Sequence, residues 1–229
     1  MSIIEWKKDE SVAIITMNNG ENRHNLNYML AMLTAFDEVL KDESVTSVVI
    51  ASSDKKNWCL GIDVEWMAEM RSMNDEKSLK EFSKKMNELL KTILLYPMPV
   101  IAAINGHAFG NGSVLACTCD FRFMKSDRGF FCFPEVDLSI PFMPAMIAFI
   151  KRAIPYYKFQ ELAFTGKRVG AKELEEHHVL VKACENEEAL MRDAIAYAKT
   201  FNKKRGIFGE LKKRMHKEII DLLDQAIQG

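Results

Sequence analysis

The sequence predicts an α/β fold, and three observations carry that reading. Short apolar runs rich in β-branched residues, Val12–Met17, Ser47–Ser52 and Val100–Ile104, read as buried strands. Longer segments between and after them carry apolar residues at helical spacing. Strand and helix signals alternate along the chain, the order that builds layered sheets with helices packed on them.

Taken in order, Ile3–Lys7 and Val12–Met17 form two strands joined by a turn around Lys8–Ser11, and residues 18–25 form a polar loop holding Gly20, Arg23 and His24. Apolar residues at 26, 29, 30, 33, 36, 39 and 40 give a helix ending near Lys41, with Asn25 or Asn27 able to cap it. Ser47–Ser52 is a strand, residues 53–62 a loop, and a helix starts near Asp63. Residues 74–81 read as a charged loop, followed by an amphipathic helix from Phe82 to Tyr96 that Pro97 and Pro99 stop. Val100–Ile104 leads into a glycine-spaced turn, Gly106 to Gly112, and a short apolar helix opened by Ser113. Phe121–Met124 and Phe130–Phe133 are strands, and residues 142–154 and 158–164 are helices. A turn at Thr165–Gly170, a small helix from Ala171, a strand at Val179–Cys184 and a helix over Asn186–Phe201 follow. In the last helix, Phe208–Ile227, the residues Leu211, Met215, Ile219, Leu222 and Leu223 fall on one face that needs a partner. The expected organisation is one core, residues 1–195, with a C-terminal helical region, 196–229.

Bulk properties narrow the function. The chain has 229 residues, 48% of them apolar, enough for a sizeable core. A net charge of −1 points to no nucleic-acid partner. No apolar run is long enough for a membrane helix, so no membrane partner is expected. The start, MSIIEWKKDE, lacks the basic-then-apolar order of a signal peptide, and the end, AIQG, is no peroxisomal or reticulum address. Together with an odd count of 5 cysteines, this predicts a cytoplasmic protein with reduced thiols. Cys117 and Cys119 lie two apart in a helix and face apart, and the 5 histidines show no ligand spacing, so no metal site is expected.

Residues 98–141 are the stretch around which the chain is organised. A strand, a glycine-rich turn and a helix start leave backbone N–H groups open at the positive end of a helix dipole. Downstream, Glu135 sits among Phe130, Phe131, Phe133, Pro134, Val136 and Leu138. Such a carboxylate is either an acid/base of raised pKa or a surface residue at a strand end. A second strand–loop–helix unit lies upstream, where Trp58–Gly61 precedes Asp63. Two loops that each offer one outward N–H to the same point make an oxyanion hole.

With these segments in view, the chain resembles the crotonase superfamily, the enoyl-CoA hydratase/isomerase family, over roughly residues 3–200. ENRHNLN (21–27) looks like its early CoA loop and NWCLGIDVEWM (57–67) like its first oxyanion segment. AAINGHAFGNGSVLACTCDFRF (102–123) looks like its signature, FPEVDLSIP (133–141) like the segment bearing the second catalytic acid, and TGKRVGAKELEEHHVLV (165–181) like its downstream turn and helix. The resemblance implies a spiral of ββα units with a C-terminal helical appendage. It implies oxyanion donors at the N–H groups of Leu60 and Asn111, with Glu135 as the acid/base. It places Gly61, Ile62 and Asp63 along the CoA channel and Arg23 near a phosphate or ribose, although an ordinary exposed loop arginine fits that position equally. Asn25, Gly110 and Pro134 would touch substrate, and His107 and Phe109 would face the acyl pocket or the core.

Departures from the family pattern refine the expectation. Hydratases of the family carry two glutamates, and Val114 fills one of those positions here. Hydration shares its work between two carboxylates, whereas one carboxylate suits moving a proton from C2 to C4. That is double-bond migration, and several Δ3,Δ2-enoyl-CoA isomerases resemble this single-glutamate pattern. Asn111 stands where glycine is usual, and the C-terminal region is short for the family. The expected activity is therefore isomerisation of 3-enoyl-CoA to trans-2-enoyl-CoA. Other enolate chemistry (hydratase, decarboxylase or dehalogenase type) and non-catalytic acyl-CoA binding are the alternatives. No separate cofactor is expected, coenzyme A being part of the substrate, and the resemblance implies a homotrimer or a dimer of trimers.

Overall fold

A computed structural model describes residues 2–228. Its elements are β1 (Ile4–Asp9), β2 (Val12–Met17), α1 (Leu26–Lys41), β3 (Ser47–Ser52), β4 (Asn57–Cys59), α2 (Val64–Ser72), α3 (Glu76–Leu95), β5 (Val100–Ile104), β6 (His107–Phe109) and α4 (Asn111–Thr118). They continue with β7 (Phe121–Lys125), β8 (Phe131–Cys132), α5 (Pro144–Ala153), α6 (Tyr156–Thr165), α7 (Ala171–Glu176), β9 (Lys182–Cys184), α8 (Glu187–Lys199), α9 (Arg205–Met215) and α10 (Lys217–Gln228).

The main sheet runs in the order β1-β2-β3-β5-β7-β9, with β1 antiparallel to β2 and all other neighbours parallel. Both faces are covered, which is why its central strands are continuous apolar runs. Period-two alternation sorts the side chains: Val12, Ile14, Val49, Ala51, Ile101 and Ala103 face α8, while Ala13, Ile15, Val48, Ile50, Ala102 and Ile104 enter the larger core under the other helices. The expected boundary at 195/196 falls within α8, which packs as one piece through Ala189, Leu190, Ala194 and Ala198.

A second, three-stranded parallel sheet, β4-β6-β8, carries the loops of interest. Two of its strands hide inside stretches that read as loops. β4 lies within 53–62 and β6 within the glycine-spaced turn, each only 3 residues long, too short for a periodic pattern. The β4–β6 register slips between Asn57 and Cys59, and the Trp58 side chain at the slip is fully buried with its indole N–H on the Ile50 carbonyl at 3.4 Å.

Two other expectations change. Residues 76–81 are the first turns of α3, whose cap Asp75 accepts from the Ser78 N–H at 3.0 Å. Their charges are the solvent face of a helix start, which composition alone reads as loop. The terminal helix is two, α9 and α10, broken at His216. In α9 the buried side chain is Lys212, while Leu211 and Met215 are exposed. Lys212 reaches Asp120 at 2.8 Å and the Ile93 and Met98 carbonyls. That ion pair docks the C-terminal region, with Ile219 and Leu223 of α10 joining the core. Residue 227 of the expected helix has no described side chain.

Helix α4 is held at its C-terminal end by two guanidinium groups. Arg152 donates to the carbonyls of Cys117, Thr118 and Cys119 at 2.7–2.8 Å, and Arg122 donates to Cys119 O at 2.8 Å. Cations here satisfy the last carbonyls and offset the negative end of the dipole, leaving the N-terminal end as the helix's uncompensated pole.

Candidate active site

The N-terminus of α4 is built by Gly110. It takes φ 53° and ψ −124°, donates its N–H to Cys132 O at 3.0 Å, and accepts the first helical bond from Val114 at 3.1 Å. No side chain caps this helix. Ser113, the expected cap, instead has its hydroxyl against the carbonyls of Ala108 and Cys132, fastening α4 to β6 and β8. Among the described residues the Asn111 N–H has no acceptor.

Facing it is the loop from Cys59 to Asp63. Gly61 takes φ +76°, and a Cβ there would lie 2.7 Å from Phe109 O and 2.8 Å from Asn111 N. Only glycine permits that approach, so the two loops meet main chain to main chain. Of the expected donor pair, Leu60 is corrected: its N–H already donates to Glu21 O at 3.1 Å. The Asp63 N–H donates to His24 O at 3.0 Å. Within this loop the Ile62 N–H, like that of Gly61, has no hydrogen-bond acceptor among the described residues. The parallel bridge between His24 and Ile62 explains why, since it uses the groups on either side of Ile62. Ile62 and Asn111 therefore each present an open amide on the two touching loops.

The carboxylate comes from the chain leaving β8. Pro134 packs on the same turn, its ring carbons 3.8 Å from where a Cβ on Gly110 would sit. Leu138 N–H to Pro134 O and Ile140 N–H to Glu135 O, both 3.0 Å, close a tight turn around Glu135. Glu135 Oε2 is buried without a hydrogen-bond partner among the described residues. Burial holds its pKa above the ordinary carboxylate value. Beside it in sequence, Phe133 makes edge-to-face contacts with Phe131 at 5.3 Å, Phe142 at 5.8 Å and Phe159 at 6.2 Å. Val114 is fully buried, so no second carboxylate stands on the first turns of α4. Pro134, next to Glu135, packs on the turn that opens α4; open amides and a desolvated carboxylate are the groups that can hold a developing oxyanion and move a proton.

Other residues expected to touch substrate also have structural partners. Asn25 caps α1 through Tyr28 N–H at 3.0 Å, and Asp63 caps α2 through Trp66 N–H at 3.0 Å. The two caps join each other, Asn25 Nδ2 to Asp63 Oδ2 at 3.2 Å, so both side chains are committed to the helix starts. Arg23 is ion-paired with Glu21 at 2.8 Å on the surface. His107 opens β6 at the end opposite Gly110, about 10 Å away by strand rise, and stacks on Phe130 at 4.1 Å. Lys56, Arg128 and Arg168 lie near it, and burial with those cations lowers its pKa.

His24 bonds to both loops. It is fully buried, and desolvation lowers its pKa to about 3, so the ring is neutral. Nδ1 meets Asn111 Nδ2 at 2.9 Å and Nε2 meets Cys59 Sγ at 3.0 Å. No sequence signal distinguishes it from a loop histidine.

A family model described as Enoyl-CoA hydratase/isomerase matches residues 7–229. The chain is 24% identical to Enoyl-CoA delta isomerase 3 of Arabidopsis thaliana over 232 residues, 98% of this chain and 95% of that protein. It is 29% identical to the short-chain-enoyl-CoA hydratase of Clostridium acetobutylicum over 169 residues, 73% of this chain and 63% of that one. A crystal structure of a probable enoyl-CoA hydratase from Mycobacterium tuberculosis H37Rv superposes with a TM-score of 0.88 at 19% identity, covering 99% of this chain and 94% of that one.

Proposed function

The chain belongs to the enoyl-CoA hydratase/isomerase family and has the crotonase fold; from that premise we propose that it is an enoyl-CoA isomerase, moving the double bond of a 3-enoyl-CoA to the trans-2 position. The observation that carries the reading is one partly buried carboxylate with an orphaned oxygen, Glu135, and an apolar residue, Val114, where a hydratase of the family has its second.

In this reading the thioester carbonyl oxygen accepts from the N–H groups of Ile62 and Asn111, which stabilise the dienolate oxygen and acidify C2. The Glu135 carboxylate removes a C2 proton, its burial making it a stronger base once ionised. The C3–C4 double bond becomes C2–C3 as the carboxyl returns the proton to C4 and the carbonyl re-forms. Nothing else is consumed. The aromatic cluster at Phe131, Phe133 and Phe142 keeps water from competing for the dienolate.

The test is product analysis after incubating purified protein with 3-enoyl and 2-enoyl thioesters. Conversion of the 3-enoyl to the 2-enoyl ester with no 3-hydroxyacyl product is expected. A 3-hydroxyacyl product from the 2-enoyl ester would assign hydration instead, and no reaction with either would leave an acyl-CoA-binding protein.

The proposal extends to a role in fatty-acid breakdown in the cytoplasm and to a homotrimer or pair of trimers. No described helix is long and apolar enough to cross a membrane. Val136, Leu138, Ile140, Met143 and Ile147, in and after the Glu135 turn, expose apolar side chains, and such a patch calls for a protein neighbour. Sedimentation velocity should find three or six copies per particle; a monomer at micromolar concentration would refute the assembly.

A further inference from the structure

We propose that His24 is a positioning residue that clasps the two amide-bearing loops together, so that the Ile62 and Asn111 N–H groups point to one place. The inference rests on the amide pair of the proposed function.

His24 ties the first loop by its main chain. Its N–H donates to Gly61 O at 2.7 Å and its carbonyl accepts from Asp63 N–H at 3.0 Å, fixing the peptide planes on both sides of Ile62. Its ring ties the second, through Asn111 Nδ2 on Nδ1 at 2.9 Å. The other ring nitrogen returns to the first loop at Cys59 Sγ, 3.0 Å away. One fully buried residue thus spans the seam where Gly61 meets Asn111.

The proton positions along this chain are determined by its ends. The Cys59 thiol donates to Asn22 O at 3.1 Å, so its sulfur is free to accept, and Nε2 carries the imidazole proton. Nδ1 is then the acceptor for the Asn111 amide. Asn22 anchors the far end, donating to Ser52 Oγ at 2.8 Å and Trp58 O at 2.9 Å. Because the ring stays neutral, with a pKa near 3, and the Cys59 thiol is pushed up to about 12, neither changes charge in the working range. The pair orients groups; it does not move protons for the reaction. It also gives the Asn111 side chain a task that glycine, the residue expected here, could not perform.

The experiment compares His24→Leu, His24→Gln, Asn111→Gly and the double variant His24→Leu/Asn111→Gly. Leucine fills the space without either hydrogen bond, whereas glutamine keeps an acceptor for Asn111 and a donor for Cys59. His24→Leu should lose about 10- to 100-fold in kcat with KM within about threefold, less than deletion of a whole oxyanion donor. His24→Gln should stay within about threefold of the parent. Asn111→Gly breaks the same link, so the double variant should lose no more than the worse single one, the non-additivity of groups acting as a unit. Equal losses in Leu and Gln variants, or losses that multiply in the double variant, would overturn the clasp.

Amide hydrogen exchange provides a readout that needs no turnover. The Asp63 and Val114 N–H groups, bonded to His24 O and Gly110 O, report on the two loops. In His24→Leu both should exchange about tenfold faster while Ile50 in the central strand is unmoved. If the wild type converts no enoyl thioester, the functional reading fails and the exchange result alone decides the clasp. Unchanged exchange at both amides, or an equal increase at Ile50, would count against it.

Discussion

Glu135→Gln should abolish double-bond migration while leaving thioester binding intact. The amide keeps the shape of the side chain and removes the buried carboxylate that takes the proton in this reading, so a kcat loss of about 1000-fold or more is expected, toward the upper range for a positioned acid/base. KM should stay within about threefold, because the group acts on the transition state rather than on binding. The parent's pH profile supplies a second check. The base must be ionised, and burial holds its pKa above the ordinary carboxylate range, so kcat/KM should fall as pH drops through a limb displaced above that range. Stability follows with the opposite sense. The folded state binds the Glu135 proton more tightly than the unfolded state does, so ionising it disfavours folding once the pH exceeds the unfolded pKa. Glu135→Gln should therefore be at least as thermally stable as the parent at pH 7. A variant that keeps a tenth of the parent's kcat, or that loses binding in step with turnover, would remove Glu135 from the reaction.

Much of this was legible in the chain because the physics behind it is local. The strands Val12–Met17, Ser47–Ser52 and Val100–Ile104 are continuous apolar runs buried on both faces, and they occur at those residues in the structure. The helix from Leu26 to Lys41 carries both its stripe and its cap, Asn25, in the sequence. The glycine-spaced turn at 106–112 is also visible in the sequence, and Gly110 there takes the positive φ that favours glycine. What stayed hidden depends on partners far along the chain. Leu60 and Ile62 are two residues apart, and nothing in NWCLGID says which N–H is free; the Glu21 carbonyl and the His24 bridge decide it. The cap at Asn25 is readable in the sequence, but its side-chain bond to Asp63, the cap of α2 38 residues on, is not. His24 looks like loop polarity until α4 is brought against it. The charged residues 76–81 show the same limit, because a helix start that turns its charges to solvent has the composition of a loop.

The amide at position 111 can be deleted without breaking the helix it begins. Asn111 is the first residue of α4 after Gly110, and proline is well tolerated at that position, where the missing N–H has no helical partner and the fixed φ suits the first turn. The preceding residue is a glycine at positive φ, already outside the region that a following proline forbids. Asn111→Pro therefore keeps the helix start, and its melting temperature beside that of Asn111→Gly checks that its ring carbon is accommodated at the seam with Gly61. The two variants both lack the side chain that reaches His24, and they differ in one feature that matters to the chemistry: glycine keeps the N–H and proline does not. Removal of one oxyanion donor costs about 100- to 1000-fold in kcat, so Asn111→Pro should fall below Asn111→Gly by that factor. Both should turn over without the small displacement in acid limb that a change at Glu135 would cause, because the carboxylate is untouched. Equal rates in the proline and glycine variants would show that the open amide at the head of α4 takes no part in holding negative charge, and the role would have to pass to the neighbouring N–H of Gly112 or to Ile62 alone.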